Sequence, residues 1–401
     1  MKRCNRCLLP ETVETICFDS EGICNICNSV LVQKPSVDWD LRLSKLDLLV
    51  SNLKTGKRYD LLIPFSGGKD STYQLYFMRK RYPHLKILAV TFDHLFFRKA
   101  IIDNNTKTFA NLGVDRITFS PNWHIVRQLM NRSLRDKGDF CWHCHSGIYS
   151  FPLHTAYQYE IPLILWNADG EGNAYFQLKE FPEIDLTLFN RYVNLGISAD
   201  DMHIRLGGSQ KVDRRDLWQY SFPTPDEYPS FKVRSLSLSS YIPWDWKEIY
   251  SIIHQDLGWE CDDVENLPPQ YSYTKIECWM QGVRDYIKYI KRGYSRPSQM
   301  VAVDLRDGSL NTQGAQKIID DWECIEPFAL NLLLEYLDMS SDEFYNLCTK
   351  HSISPWTFSQ DSLRANSLPL HDTPNWQHYP PLSDSEQVSS TAQDRYSELS
   401  Q

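Results

Sequence analysis

The sequence contains no apolar run long enough to cross a bilayer, no apolar segment behind its basic start, and fewer basic than acidic residues. A membrane-spanning helix needs about 20 mostly apolar residues, and a secretory signal needs an apolar core, so we expect neither. With 42 Lys and Arg against 51 Asp and Glu, the formal net charge is −9, which makes nucleic acid an unexpected partner. These absences together predict a soluble, cytoplasmic protein.

At 401 residues, of which 42% are apolar, the chain is too long for one compact core and predicts several folded units. We expect a zinc-ribbon-like module over residues 1–34, a linker helix over 35–57, and an α/β domain over 58–235. A helical region that binds substrate or a partner is expected over 236–350. The remaining residues, 351–401, are rich in Ser and Pro with few apolar anchors, which predicts a disordered tail.

Apolar runs alternate with helical patterns from Tyr59 onward. The runs cover residues 59–66, 86–93, 114–120 and 161–166, and helical patterns over 72–82, 99–112 and 123–134 separate them. Strands that are apolar on both faces and alternate with helices are typical of a parallel sheet covered on each side. The fold class predicted is therefore α/β, with a parallel, doubly wound sheet. Residues 200–240, rich in Ser, Pro, Gly and charge, are expected to be largely loop.

A glycine-containing loop joins the first run to the first helical pattern. Its residues are Ser66, Gly67, Gly68, Lys69, Asp70 and Ser71. Glycines let the backbone turn tightly and approach an anion, the N–H groups of a helix start point toward it, and Lys69 adds charge. The loop lacks the spacing of a Walker A motif. An ordinary capped turn is the alternative.

The segment resembles the PP-loop of the ATP pyrophosphatases, which adenylate an oxygen atom and release pyrophosphate. The resemblance implies an adenine nucleotide α-hydrolase-like domain over 58–235 that uses ATP and Mg²⁺, with Ser66, Lys69 and Asp70 as catalytic residues and the whole loop, Ser66 to Ser71, binding phosphate. Adenine would then lie at the end of the second strand. Because ligands gather where parallel strands end, the other candidate nucleotide or Mg²⁺ contacts are Thr91, Phe92, Asp93, Asn167, Asp169 and Glu171.

Two Cys-x-x-Cys pairs near the start, Cys4 with Cys7 and Cys24 with Cys27, have the spacing of a tetrahedral Cys₄ zinc site. Such a site folds a short segment that cannot build its own core, so we expect a closed, structural Zn²⁺. A third pair, Cys141 and Cys144, stands at a predicted helix start, whose dipole is expected to lower the pKa of the thiols. This pair could bind a second metal or part of an iron–sulfur cluster, act as a redox pair, or be buried without metal. Further ligands could be His145, Cys261 or Cys278.

Several blocks, in content and in order, resemble the N-acetyl sugar amidotransferase family. They are the segments 4–12, 18–24, 66–74, 89–94, 141–152, 275–277 and 286–296. The resemblance implies an enzyme of surface-polysaccharide, lipopolysaccharide or flagellin-sugar biosynthesis that adenylates an N-acetyl group. Ammonia from a partner glutaminase, delivered through a synthase-type partner, would then displace AMP to give an amidino sugar. No glutaminase pattern is evident in the chain itself.

A basic helical segment precedes Gly293 and offers a face for a nucleotide-activated or acidic sugar. Its residues are Arg284, Lys288, Lys291, Arg292 and Arg296. A solvated helix end that complements its own dipole is the alternative. For the chain as a whole, the rival to amidotransfer is a PP-loop tRNA thiolation enzyme, which also combines cysteine pairs with adenylation, and a scaffold that only binds nucleotide is a further alternative.

Overall fold

The computed structural model describes residues 1–33, 37–53, 56–166, 194–208, 212–223, 227, 232–360 and 364–365. Asn167, Asp169 and Glu171, predicted from the sequence to contact nucleotide or Mg²⁺, lie outside these residues. Among the helices in the described ranges, none has both the length and the apolar character that crossing a membrane requires.

The centre of the molecule is a sheet of five parallel strands. They are β1 (Leu61–Pro64), β2 (Ile87–Phe92), β3 (Asp115–Phe119), β4 (Leu163–Trp166) and β5 (Arg234–Ser237). Their order is β3-β2-β1-β4-β5, and every neighbouring pair is parallel. The predicted fold class is confirmed. The first four strands lie within the four predicted apolar runs, whereas β5 lies within the predicted loop 200–240.

Successive side chains of β1 enter two different cores. Leu61 and Ile63 pack into the core on one side of the sheet, and Leu62 packs into the core on the other. Side chains alternate across a strand, so a strand covered on both sides must be apolar at every position. This explains why the sequence shows unbroken apolar runs rather than alternation.

Helices cover both faces of the sheet. The described helices as far as residue 205 are α1 (Asn25–Gln33), α2 (Trp39–Ser51), α3 (Lys69–Arg81), α4 (Lys99–Leu112), α5 (Trp123–Lys137), α6 (Trp142–Gln158) and α7 (Ala199–Arg205), of which α1 belongs to the N-terminal cysteine module. Apolar residues of α3 and α4 lie in one core, and those of α6, together with Leu129 of α5, lie in the other. The chain runs outward from β1 to β3 and then crosses to β4 on the opposite side of β1. With right-handed crossovers, this reversal places helices on both faces and opens a crevice between the ends of β1 and β4, where ligands of such sheets bind.

The C-terminal region is helical, as predicted. Its helices are α8 (Trp246–Leu257), α9 (Gln281–Arg292), α10 (Arg296–Asp307), α11 (Thr312–Trp322), α12 (Ala329–Leu337) and α13 (Ser341–Thr349). The region packs on the sheet domain: α8 contributes Ile253 and Leu257 to the core that also contains β1.

Order extends past the predicted boundary at residue 350. The Trp356 indole N–H donates to Ile290 O at 3.0 Å, and Phe358 stacks on Tyr345. Farther on, β7 (Arg364–Ala365) pairs with β6 (Ile325–Glu326). The expected disordered tail is therefore wrong for its first ten residues, because aromatic side chains anchor them. Apart from residues 364 and 365, residues 361–401 lie outside the described part of the chain.

Candidate functional site

The glycine loop lies at the carboxyl end of β1, and α3 begins at Lys69 with Gly68 as its N-cap. The Ser71 hydroxyl closes the turn: it accepts hydrogen bonds from the N–H groups of Ser66 at 3.2 Å and Gly67 at 3.1 Å, and donates to Gly68 O at 3.1 Å. The first N–H groups of a helix lack partners within the helix and carry its positive dipole end. The loop therefore has the form predicted for an anion site.

Both glycines have close neighbours. Gly67 has φ +87, and a Cβ added there would lie 2.3 Å from Asn105 Oδ1 and 2.9 Å from Ile101 Cγ2. A Cβ at Gly68 would lie 1.8 Å from Glu277 Oε1. The positive φ and the crowding at Gly67 exclude other residue types. At Gly68 the neighbour is the flexible side chain of Glu277, so larger residues are excluded only while Glu277 keeps this conformation.

Residues 259–279, which we call the covering segment, pack against the loop from the C-terminal region. The Trp259 indole N–H donates to Gly67 O at 3.0 Å. Arg98 pairs with Asp262 at 2.7 Å, and Trp279 N–H donates to Phe96 O at 3.0 Å. These contacts hold the covering segment on the sheet domain, so the site is built from two predicted units rather than from residues 58–235 alone.

The loop, the strand ends, the covering segment and the first turns of α6 and α9 line a cavity of about 220 Å³. One part of its wall is apolar, formed by Val90, Phe92, Ile148, Tyr149 and Trp166. The polar part of the wall contains Ser66, Asp70, Ser71, His94, Cys144, His145, Lys275, Glu277, Cys278, Gln281 and Arg284. An apolar wall beside a phosphate-type loop and two cations has the polarity that a nucleotide presents, with base at one end and phosphates at the other.

Lys69 does not line this cavity. Its side chain is 2% exposed, and its ammonium lies 2.7 Å from Asp70 Oδ2 and stands over the rings of Trp246 at 5.3 Å and Tyr273 at 5.9 Å. The sequence predicts Lys69 as a phosphate ligand, but the structure places it behind the loop. The reason is the aromatic pair from the C-terminal region, whose position no local pattern reveals.

Asp70 lines the cavity from the loop side, as predicted for a catalytic residue. Its Oδ1 accepts the Trp244 indole N–H at 3.0 Å. Burial alone would raise the pKa of Asp70, but the charge and hydrogen bond of Lys69, the Trp244 N–H and the charge of Lys275 lower it below the ordinary value. The carboxylate is thus held ionised at the cavity wall.

Only one of the three residues predicted at the end of β2 faces the cavity. Phe92 lines it, whereas Asp93 lies on the opposite side and accepts hydrogen bonds from Leu95 N–H at 2.7 Å and the Ser120 hydroxyl at 2.8 Å. Thr91 is buried and also does not line the cavity. Strand alternation is the reason. The residue that continues the cavity face is His94, whose Nδ1 accepts Phe96 N–H at 3.2 Å, and burial lowers its pKa to about 4.

The third cysteine pair lies at the start of α6, with Cys141 as the N-cap. Cys144, His145 and Cys278 line the cavity, whereas Cys261 lies away from it and accepts the Tyr250 hydroxyl at 3.8 Å. Burial raises the pKa of Cys144 to about 12, which corrects the expected lowering by the helix start. Desolvation of a thiolate outweighs the helix dipole here. In the described residues, only the N-terminal cysteines form a compact ligand cluster.

Of the five basic residues proposed for substrate binding, only Arg284 lines the cavity. Lys288 stands over the Tyr294 ring at 4.9 Å, and Lys291 donates to Lys137 O at 3.0 Å. Arg292 pairs with Glu14, and Arg296 with Asp285. These four contacts are structural, which corrects the prediction that the five side chains share a substrate face. Helical spacing predicts which residues share a face of α9, but it does not predict which elements pack against that face.

The four N-terminal cysteines converge as predicted. All four Sγ atoms lie within 4.8 Å of one another, with Cys4–Cys27 at 4.0 Å and Cys7–Cys24 at 3.7 Å. Tetrahedral Zn–S bonds of about 2.3 Å require Sγ separations of about 3.8 Å. Backbone N–H groups of Arg6 and Cys24 donate to Cys4 Sγ, as thiolates require. All four residues are fully buried, so the donor set fits a closed structural Zn²⁺.

Residues 1–33, which we expect to bind zinc and therefore call the zinc module, pack on the turn between α9 and α10. Tyr294 and Ala302 share its small core. The Thr12 hydroxyl donates to Arg292 O at 2.6 Å, and Arg292 pairs with Glu14 at 2.7 Å. Because Arg284 is on the same helix as Arg292, the zinc module supports the element that carries a cavity cation.

Lys275, Glu277, His94 and Trp259 were not predicted as individual site residues. The first two occur in a block that resembles the amidotransferase family, but nothing in their spacing links them to the loop. His94 belongs to the strand end that the sequence predicts to contact the base through backbone groups, and extending the alternation of β2 by one step beyond Phe92 would have indicated that its side chain faces the cavity. Trp259 gives no sequence signal, because its partner Gly67 is 192 positions away.

Comparison with known proteins adds two similarities. No protein-family model matches the chain. Uncharacterized protein MJ1599 of Methanocaldococcus jannaschii is 26% identical over 114 residues, which cover 28% of this chain and 40% of that protein. Among solved structures, the U34-tRNA thiolase NcsA from Methanococcus maripaludis, with its [4Fe-4S] cluster, aligns over 81% of this chain and 91% of its own, with a TM-score of 0.28 and 12% identity. Neither similarity identifies the family of the chain.

Proposed function

We propose that the protein is an ATP-dependent enzyme of the PP-loop type, which transfers AMP to an oxygen atom of an acceptor, releases pyrophosphate, and lets a nucleophile displace the AMP. The observation that carries this proposal is the position of the Ser66–Ser71 loop. It lies at the sheet crevice, begins a helix of 13 residues, and opens on a cavity with one apolar wall. Of the predicted residues, Ser66, Asp70 and Ser71 keep their proposed roles at the phosphate end, and Phe92 keeps its role at the base end.

An acceptor oxygen is a poor leaving group until it is adenylated. In the proposed reaction the acceptor oxygen attacks the α-phosphorus, the bond to the β-phosphate breaks, and pyrophosphate leaves with the electron pair. Positive charge around the departing phosphates lowers this barrier. In the protein, the N–H groups at the start of α3 and the cavity cations supply that positive charge. Mg²⁺ would add to it, and Asp70, whose carboxylate lines the cavity, would hold the ion.

Asp70→Asn tests the adenylation proposal. The variant should bind ATP weakly and lose pyrophosphate release by at least ~100-fold, because an electrostatic catalytic group is worth roughly that factor. Asp103→Asn is the matched control, since Asp103 is an exposed partner of Lys99 within α4. A purified protein that binds no ATP, or an Asp70→Asn variant with normal pyrophosphate release, would contradict the proposal.

For the acceptor we retain the N-acetyl group of a sugar, with ammonia as nucleophile, as one candidate. It rests on the order of the sequence blocks and on the net charge of −9, which suits a small substrate better than RNA. In this candidate a glutaminase and a synthase-type partner supply ammonia, and a nucleotide-activated or acidic sugar meets Arg284 at the cavity wall.

The second candidate is tRNA thiolation, which the cavity geometry favours. Cys144 and Cys278 line the same cavity as the loop, and ammonia transfer requires no thiols there. These thiols, with Cys141 nearby, have the soft donor atoms that an iron–sulfur cluster or another thiophilic metal prefers. Sulfide bound at this point would attack the adenylated carbon of the base, so that a C–S bond forms, the C–O bond to AMP breaks, and AMP leaves with the electron pair.

One experiment separates the two candidates. Purified protein is incubated with ATP and either tRNA plus sulfide or an N-acetylated sugar nucleotide plus ammonia, and the products are identified by mass spectrometry. The variants Cys144→Ser and Cys278→Ser should abolish thiolation and leave amidotransfer intact, whereas Cys17→Ser, at an exposed cysteine, should affect neither. Formation of an amidino sugar by both cavity variants would exclude the thiolation candidate.

A further inference from the structure

The lysine of the glycine loop does not reach the cavity, so another cation must contact the phosphates of a nucleotide bound there. Lys69 is enclosed by Asp70, Trp246 and Tyr273. Its charge is already satisfied by a carboxylate at 2.7 Å and two ring faces. Turning it toward a nucleotide would leave Asp70 without its ion pair in a buried setting, which is strongly unfavourable.

Lys275, in the covering segment, lines the cavity that Lys69 does not reach. It lines the space together with Ser66, Asp70 and Ser71. Its backbone has φ +51, in the left-handed region, although it is not a glycine. Such backbone conformations cost free energy and persist where surrounding structure enforces them, often at binding sites. Here the enforcing structure is the covering segment, fixed by Trp259 on Gly67 and by Trp279 on Phe96.

Lys275 also differs from Lys69 in its partners. Within the described part of the chain, no hydrogen bond or ion pair engages its ammonium, and the residue is partly exposed in the cavity. An unpaired ammonium beside a helix start and two loop hydroxyls has the charge and geometry that bind a phosphate group. Glu277, two residues on, packs against Gly68, so the covering segment brings both signs of charge to the loop.

On this basis, and resting on the proposed function, we propose that Lys275 is the lysine that binds the phosphates of ATP, and that Lys69 is a positioning residue that holds the Asp70 carboxylate at the cavity wall. The phosphate site is then assembled from two distant parts of the chain: hydroxyl and N–H donors come from the loop, and the cation comes from the covering segment. Trp244, which donates to Asp70 Oδ1, shares the positioning role of Lys69.

The test compares Lys275→Met with Lys69→Arg and Lys69→Met, using calorimetric titration with ATP and, separately, with adenosine in the presence of Mg²⁺. Lys275→Met should weaken ATP binding by ~10-fold or more, the usual effect of one lost charged hydrogen bond, and leave adenosine binding within about 2-fold. Lys275→Arg should recover much of the ATP affinity.

Lys69→Arg keeps the charge beside Asp70 and should bind ATP within about 3-fold of the wild type. Lys69→Met should lower the melting temperature and weaken ATP binding, with rescue by Arg marking a positioning role through Asp70. If Lys275→Met binds ATP as tightly as the wild type does, the assignment of Lys275 is wrong while the proposed function stands. If the wild-type protein binds neither ATP nor adenosine, the proposed function fails and takes this assignment with it.

Discussion

The indole N–H of Trp259 donates to the carbonyl oxygen of Gly67 at 3.0 Å, and the Trp259 side chain is fully buried. This hydrogen bond joins the covering segment to the tightest point of the glycine loop. Gly67 O also accepts the Thr72 hydroxyl at 3.3 Å, so two side chains from different elements together fix one carbonyl group. The loop conformation therefore depends on a residue that belongs to another part of the fold.

Trp259→Phe should separate this hydrogen bond from the packing of the ring. We expect a loss of about 1 kcal/mol in the free energy of unfolding, together with weaker ATP binding because the loop is less fixed. Chemical denaturation and titration with ATP measure the two effects. Trp218→Phe is the control, since Trp218 is 45% exposed and lies outside the cavity wall. Equal effects of both substitutions would show that the bond to Gly67 is unimportant.

Gly67→Ala tests the close approach at the loop. The added methyl group would meet Asn105 and Ile101 at a backbone φ of +87, so we expect a loss of about 2–4 kcal/mol from strain and overpacking. Gly113→Ala is the matched control: it also has a positive φ, +58, but open space around it. It should lose only about 1 kcal/mol. A similar loss for both variants would mean that crowding at Gly67 contributes nothing.

The zinc site makes a prediction about metal content. The purified chain should carry about one Zn²⁺, and Cys24→Ser should remove nearly all of it, because three thiolates bind far more weakly than a closed set of four. Atomic spectroscopy measures the metal, and a melting curve should show a lower transition, since the module packs on Tyr294 and Ala302. Cys17→Ser removes an exposed cysteine and should keep the metal. Full zinc retention by Cys24→Ser would contradict the assigned ligand set.

Stability should fall in mildly acidic solution because of buried His94. Burial lowers the pKa of His94 from 6.5 to about 4, so the unfolded chain takes up this proton before the folded one. Stability is unaffected by His94 above pH 6.5 and decreases as the pH falls from there toward 4. Between pH 7.5 and 5 the loss is about 2 kcal/mol.

His94→Gln should reduce the acid sensitivity by that amount, measured as the difference between urea unfolding free energies at the two pH values. His84→Gln, at an exposed histidine, should leave the difference unchanged. An identical pH dependence in the wild type and His94→Gln would exclude this origin of acid sensitivity.

Local patterns were sufficient for the central fold. The helix predicted over 99–112 is found with the same bounds, because an apolar face precedes Gly113, which ends it in the left-handed conformation. Strand β5 escaped detection because its four residues, Arg-Ser-Leu-Ser, place only one apolar side chain between polar ones. Its pairing with β4 supplies the hydrogen bonds, and that partner is not visible in the local sequence.

The sequence predicts the glycine loop of the site but not the covering segment. The strand, the glycines and the helix start are adjacent in the sequence, so the local pattern of residues predicts them. The direction of Lys69 depends on Trp246 and Tyr273, and the contacts of Lys291 and Arg292 depend on the end of α5 and on the zinc module. Each of these contacts joins residues more than a hundred positions apart, and side-chain spacing carries no information about such partners.

The hydrogen bond between Thr12 and Arg292 joins residues 280 positions apart. During synthesis the first segment leaves the ribosome long before its docking surface exists. Metal binding can fold the zinc module early, but the module cannot dock until the turn between α9 and α10 has been synthesised. Assembly of the finished molecule is therefore governed by the last third of the chain, and a nascent chain that stops before residue 280 would present a metal-loaded but undocked N-terminus.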